Sequence, residues 1–274
     1  MPVLIAAAAV FAAASAPARA AEQIEIPAGD TQLKATLYRP AGDGPFPAIV
    51  ALHTCDGLAE GQQPIRTRYQ DWGEALAAAG FAVVFPDSFS SRGLGSQCRM
   101  RERPVRASRG RIADANAARH WLQAQPYVNG ERISLIGWSH GATTALWTVR
   151  PRKATPSDTK PDFRSVIAFY PNCRRLGATA WSTRLPALIL IGAADDWTPA
   201  NACEQMVAGA QGRSARASLV TYPGAYHDFD RQNYPFHERV GLANTPDPAG
   251  RVHVGTNPAA RADAFKRVPE WLAR

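Results

Sequence analysis

A serine lies at the centre of Gly137-Trp138-Ser139-His140-Gly141, between a short apolar run at 133–138 and a helix-like run that continues to about 149. This G-x-S-x-G spacing is that of a nucleophile elbow, which holds a serine at the tip of a strand-to-helix turn. The turn crowds the positions two before and two after the serine. Both are glycine, which has no Cβ to clash. The arrangement exposes the hydroxyl and sets a helix N-terminus behind it, where N–H groups face developing negative charge.

A serine nucleophile needs a base, and the base needs an orienting acid. On an open α/β sheet the order along the chain is Ser, then Asp or Glu, then His. The next strand end with a carboxylate is Ile191-Gly192-Ala193-Ala194-Asp195-Asp196, and the next histidine after the following strand is His227. Asp195 comes first past the strand, which favours it over Asp196. His227 is favoured over His237 and His253, which lie deeper in an irregular segment, and over His120, which falls on a helix. In this reading His227 takes the Ser139 proton and Asp195 holds the imidazole. The oxyanion hole draws backbone N–H groups from His140 and from Cys55, in the loop after the second core strand. Trp138, Trp197 and Tyr226 are placed to shape an acyl pocket, and His53 is a further candidate contact.

The elements that must position these groups follow from hydrophobic period. Leu33, Ala35 and Leu37 alternate with polar neighbours, as in a half-buried strand of an entry hairpin over 21–40. Largely apolar runs at 48–54, 81–86, 133–138, 165–170 and 187–191 read as buried strands, and 217–222 as the last core strand. Helices are expected at 69–80, where Tyr69, Trp72 and Leu76 recur at helical spacing and Gly80 closes the run, and at 111–125, 140–149, 200–210 and 259–273. Residues 151–162 and 228–258 read as loops. Buried strands alternating with helices imply a mostly parallel sheet covered on both faces. Residues 171–186 are too few for a large cap domain. His53, Ser139, Asp195 and His227 all follow strands, the end at which such sheets bind ligands.

The chain has 274 residues, 46% apolar and 20% charged, enough for one sizeable core. Residues 1–20 read as a secretory signal, small and apolar, with Ala18-Arg19-Ala20 as the cleavage site, leaving 21–274 as a single domain. No other stretch is apolar enough to insert stably in a membrane. An exported, periplasmic or secreted, chain permits disulfides. Of the three pairings open to four cysteines, the strand layout favours Cys55–Cys98 and Cys173–Cys203, each on loops at the same end of the sheet. No cysteine spacing suits zinc, and no metal or organic cofactor is implied. The net charge of +8 is concentrated at Arg92, Arg99, Arg101, Arg103, Arg106, Arg109 and Arg111, opposed only by Glu102. Such a run is a solvated loop or a means of attracting an anionic substrate. Export and the elbow argue against nucleic acid. The sequence does not set an oligomeric state.

Several segments together resemble the dienelactone hydrolase family of the α/β-hydrolase superfamily. They are Leu52-His53-Thr54-Cys55-Asp56-Gly57-Leu58, Asp87-Ser88-Phe89-Ser90-Ser91-Arg92-Gly93, the elbow, Phe169-Tyr170-Pro171, residues 192–199, residues 222–229 and residues 253–260. The matches run in order over about residues 30–272. The resemblance implies an α/β-hydrolase fold and supports Asp195, four residues before Pro199, as the acid. It also brings Arg92 near the family's substrate-carboxylate arginine. The founding members carry cysteine as nucleophile. Ser139 therefore shifts the expectation from a dienelactone substrate to a serine esterase, cleaving small carboxylic esters or lactones through an acyl-enzyme. A peptidase or acyl transferase on the same scaffold, and a non-catalytic binding protein, are the alternatives.

Overall fold

The structure, a computed structural model, describes residues 20–151 and 160–274. Residues 1–19 of the expected secretory signal and 152–159 of the loop expected at 151–162 lie outside the described residues.

The chain opens with a hairpin, β1 (Glu22–Ala28) and β2 (Thr31–Tyr38), turning at Gly29, whose φ of +63° suits a residue without a Cβ. The core strands follow as β3 (Phe46–Leu52), β4 (Ala82–Pro86), β5 (Val128–Trp138), β6 (Val166–Phe169), β7 (Ala187–Gly192) and β8 (Ala217–Tyr222). They form one eight-stranded sheet in the order β1-β2-β4-β3-β5-β6-β7-β8. The pairs β1–β2 and β2–β4 are antiparallel, and every pair from β4 through β8 is parallel. Every residue of β4, β6 and β7 is buried, so side chains on both faces of the sheet are covered.

The helices supply that cover. In α1 (Thr67–Ala78), Tyr69, Trp72 and Leu76 are buried along one stripe, and in α2 (Gly110–Gln123) Ala115, Ala118 and Leu122 are. Each large apolar side chain so buried stabilises the fold by about 1.5–3 kcal/mol. α3 (His140–Thr148) is almost wholly buried, because it follows the central strand β5 directly. α5 (Ala200–Ala210) buries Cys203, Met206 and Ala210. α6 (Pro258–Ala273) closes the domain with Ala264, Val268 and Leu272 inward; the Asn257 side chain accepts from the Ala260 N–H at 3.0 Å and caps its start.

Three features differ from the sequence expectation. A five-residue helix, α4 (Cys173–Gly177), occupies part of 171–186; its cap is Asn172, whose carboxamide accepts from Arg174 N–H. β5 begins at Val128, earlier than its apolar run, because polar Asn129–Arg132 still extend along the strand. The segment at 228–258 is not wholly irregular: β9 (His237–Arg239) and β10 (Val252–Val254) pair antiparallel. Val252, Val254 and Leu242 from this segment pack with Trp197, Cys55 and Cys98 into a second, small apolar cluster above the sheet's carboxyl end. Three-residue strands are too short to show a period, and their partners are remote.

Candidate active site

The elbow is built as its glycines demand. A Cβ on Gly137 would overlap the backbone of Gly141, and one on Gly141 would overlap the carbonyl of Leu52. The first turn of α3 thereby sits hard against the loop that carries His53 and Cys55. Ser139 itself has φ +51°, a left-handed conformation that costs a side-chain-bearing residue about 1–3 kcal/mol. The strain is held by neighbours: Ser139 N–H donates to Phe169 O at 2.9 Å, and its own carbonyl accepts from Thr143 N–H at 2.8 Å. Tyr170 and Asp228, beside the site, also have positive φ, at +40° and +66°.

Three loops bring the chemistry together. Ser139 Oγ lies 3.0 Å from His227 Nε2, and His227 Nδ1 lies 2.8 Å from Asp195 Oδ2. Asp195, not Asp196, faces the ring. Asp196 instead meets His253, accepting from its backbone N–H at 2.8 Å and standing 2.7 Å from its Nδ1. Asp195 Oδ1 accepts the N–H groups of Trp197 and Thr198, at 3.0 and 2.8 Å. The Thr198 hydroxyl stands 3.0 Å from Asp195 Oδ2, 3.1 Å from His227 Nδ1 and 3.1 Å from Tyr170 O. The carboxylate is thus fully hydrogen-bonded without solvent, as a buried charge requires. The imidazole is wedged between Tyr170 and Trp197, with ring centroids at 4.4 and 4.6 Å.

The loop carrying His227 is anchored by two buried carboxylates. Asp228 pairs with Arg68 of α1 at 2.5 Å. Burial alone would raise the Asp228 carboxyl, but Arg68, then His227 and Arg231, outweigh it and hold it well below the usual carboxylate range. Asp230, fully buried, accepts from Trp72 Nε1 at 2.8 Å, Trp138 Nε1 at 2.9 Å and Tyr170 OH at 2.6 Å. One side chain therefore ties the histidine loop to α1, to the elbow strand and to the end of β6.

α3 starts at His140, so the His140 N–H belongs to the first turn, which has no helical acceptors. Cys55 follows β3 on the loop pressed against Gly141. It is bonded to Cys98, and Cys173 to Cys203. Cys55 O accepts from Gln97 N–H at 2.8 Å, so the loop after β3 and the arginine-rich loop are joined twice. The sulfurs of Cys55 and Cys98 lie near Asp56, but the disulfide removes them as metal ligands.

Other expected contacts are engaged elsewhere. Arg92 does not face an anion site: it forks onto Asp114 at 2.7 and 3.1 Å and donates to Ser88 O at 2.8 Å. His53 is fully buried, with Nδ1 2.7 Å from Thr54 O and Nε2 accepting from Ser88 N–H at 3.2 Å. Burial, then Arg111, push its pKa down to about 3, so the ring is a neutral brace between the loops after β3 and β4. Trp138 is fully buried, with its face on Phe169 at 5.5 Å and its N–H on Asp230. Trp197 packs on His227 and donates to Ala243 O at 3.2 Å. Tyr226 sits in a surface aromatic group with Phe236 and His253, at 5.0 and 5.6 Å.

Sequence reasoning missed Thr198, Asp228 and Asp230. The spacing Asp195-x-x-Thr198, in which a carboxylate meets the backbone two and three residues on, is a local signal for the first. Asp230 carries no such signal, since its partners lie 60 to 158 positions away.

Comparison with known proteins extends this picture. The chain is 27% identical over 212 residues to a putative carboxymethylenebutenolidase of Azospirillum brasilense, covering 76% of this chain and 87% of that one. It is 29% identical over 205 residues to an uncharacterized Mycobacterium tuberculosis protein, of whose length it spans 64%. A putative dienelactone hydrolase from Klebsiella pneumoniae has the same fold, with a TM-score of 0.68 at 17% identity over 93% of this chain and 98% of that one. Thermogutta terrifontis esterase 2, solved phosphorylated by paraoxon, superposes with a TM-score of 0.64 at 21% identity, covering 92% and 93%. The dienelactone hydrolase family model matches residues 33–274, and the chain belongs to that family of α/β-hydrolases.

Proposed function

We propose that the protein is a serine hydrolase that cleaves small carboxylic esters or lactones through an acyl-enzyme on Ser139. One observation carries this reading: the unbroken chain from Ser139 Oγ through His227 to Asp195, at 3.0 and 2.8 Å. As Ser139 attacks the acyl carbon, its proton passes to His227 Nε2. Asp195 fixes the tautomer with the proton on Nδ1 and stabilises the imidazolium. The oxyanion meets the N–H groups of His140 and Cys55, each worth about 10²–10³ in turnover. His227 then protonates the leaving alkoxide, and water, deprotonated by the same ring, clears the acyl group.

The carboxymethylenebutenolidase relative, matched over most of its length, supports ester or lactone chemistry. An uncharacterized Bacillus subtilis peptidase is matched over only 34% of its length. Export is part of the proposal: two disulfides suit an oxidising compartment, and no helix among the described residues is long and apolar enough to cross a membrane. Steady-state hydrolysis of p-nitrophenyl acetate and a simple lactone tests the reading. Ser139→Ala and His227→Ala should each lower kcat by about 10⁴-fold or more. Full activity in either variant would refute it.

A further inference from the structure

Against the first turn of α3, which follows Ser139, lies a basic cavity of about 470 Å³ for which the mechanism above has no use. Arg101, Arg103 and Arg106 line it from the loop after β4, and Arg175 lines it from α4; among the described residues Glu102 is the one carboxylate in its wall. Arg103 spends Nε on Gln97 O at 3.0 Å. Arg101, Arg106 and Arg175 are exposed and have no ion pair among the described residues. Elsewhere in this region Arg92 is committed to Asp114 and Arg111 to His53 O. The cavity thus gathers three exposed guanidiniums, of Arg101, Arg106 and Arg175, that hold no ion pair among the described residues.

Its position ties it to the nucleophile. His140, the residue after Ser139, lines it, as does Thr143, whose N–H and hydroxyl both donate to Ser139 O. Positive charge is in excess around it. Burial pushes Arg103 down to about 10 against the pull of Asp56. Burial, then Arg111 and Arg103, hold the His140 ring well below its usual value.

We propose that this cavity is a subsite for a doubly anionic, phosphate-like group on the ester that Ser139 attacks. The inference rests on the assignment of Ser139 as nucleophile. Four guanidiniums against one carboxylate exceed what a single carboxylate can neutralise. Three phosphate oxygens carrying two charges match several N–H forks at once. The group is bound, not transferred: the bond broken is the ester's, and the phosphate leaves intact with its fragment.

The test has two arms, both at constant ionic strength, since exposed charges are screened by salt. In the first, inorganic phosphate is titrated into Ser139→Ala protein by calorimetry, with acetate as the monoanion control. Phosphate should bind and acetate should not, and Arg106→Ala/Arg175→Ala should weaken phosphate by about tenfold or more, while Glu102→Gln tightens it. In the second, phenyl acetate and 4-acetoxyphenyl phosphate are compared with unaltered enzyme. The phosphate-bearing ester should have kcat/KM about tenfold or more higher, and the double arginine variant should bring the ratio near one. Equal binding of acetate and phosphate, no effect of the arginine changes, or a ratio near one in the unaltered enzyme would each overturn the proposal. The calorimetric arm needs no catalysis, so failure of Ser139 as nucleophile shows separately, as absent hydrolysis of both esters.

Discussion

Asp230 offers the sharpest structural prediction. Its carboxylate accepts from two indoles and one phenol, all buried, at 2.6 to 2.9 Å. Asp230→Ala strands all three donors. Each stranded donor costs about 1–3 kcal/mol, giving a gross loss of about 3–9 kcal/mol. Relief of the buried carboxylate's own desolvation offsets part of that, and breaking comparable buried polar sets costs about 3–5 kcal/mol. We therefore expect a net loss near 4 kcal/mol, a large share of the roughly 5–15 kcal/mol available to a domain. Asp230→Asn should be milder, near 1–2 kcal/mol. Its amide oxygen still serves both indoles, but its NH₂ meets the Tyr170 hydroxyl, which must find another acceptor. Urea unfolding followed by tryptophan fluorescence reads both, since Trp72 and Trp138 report the site directly. A loss under about 1 kcal/mol for the alanine variant, or an asparagine variant no better than alanine, would refute the reasoning.

Other expectations follow from single contacts. Thr198→Val keeps the shape but deletes the hydroxyl shared by Asp195 and His227; kcat for ester hydrolysis should fall about tenfold with KM little changed, and an unchanged kcat would contradict the role. His53, with a folded pKa of about 3 against an unfolded value near 6.5, is protonated first in the unfolded chain. Its contribution is fully present above about pH 6.5 and is lost as pH falls toward 3, so Tm should drop across that window. His53→Asn, which cannot titrate, should flatten the drop, leaving the part due to buried His140, whose pKa is also held low; an identical slope would exclude His53. Cys98→Ser opens the Cys55–Cys98 bridge, which spans 43 positions, and should cost about 4 kcal/mol on the chain-entropy argument. It should also lower kcat by loosening the Cys55 loop, and an unchanged kcat would separate the bridge from the oxyanion hole.

Much of the sheet was legible because its strands are largely apolar runs, and the elbow because sterics confine its glycines to fixed positions. Asp195 could be ranked above Asp196 by distance from the strand end. What eluded the sequence depends on tertiary contact. Arg92 looked like an anion contact in a basic run, yet Asp114, 22 positions away, claims it. Trp138 and Trp197 looked like pocket walls, since aromatic residues beside a nucleophile carry no mark of which way they face. Asp230 and Arg68 are ordinary charged residues in sequence, and only folding buries them against their partners. The β9–β10 hairpin was hidden because three-residue strands have no measurable period.

The account stands on Ser139 being an activated nucleophile. A fluorophosphonate probe reacts with such a hydroxyl and adds a fixed mass to the protein. Intact-mass analysis with peptide mapping should find one equivalent on the peptide containing Ser139, and none in Ser139→Ala or His227→Ala. A folded, unaltered protein that takes up no label, or takes it up equally after His227 is removed, would contradict the claim.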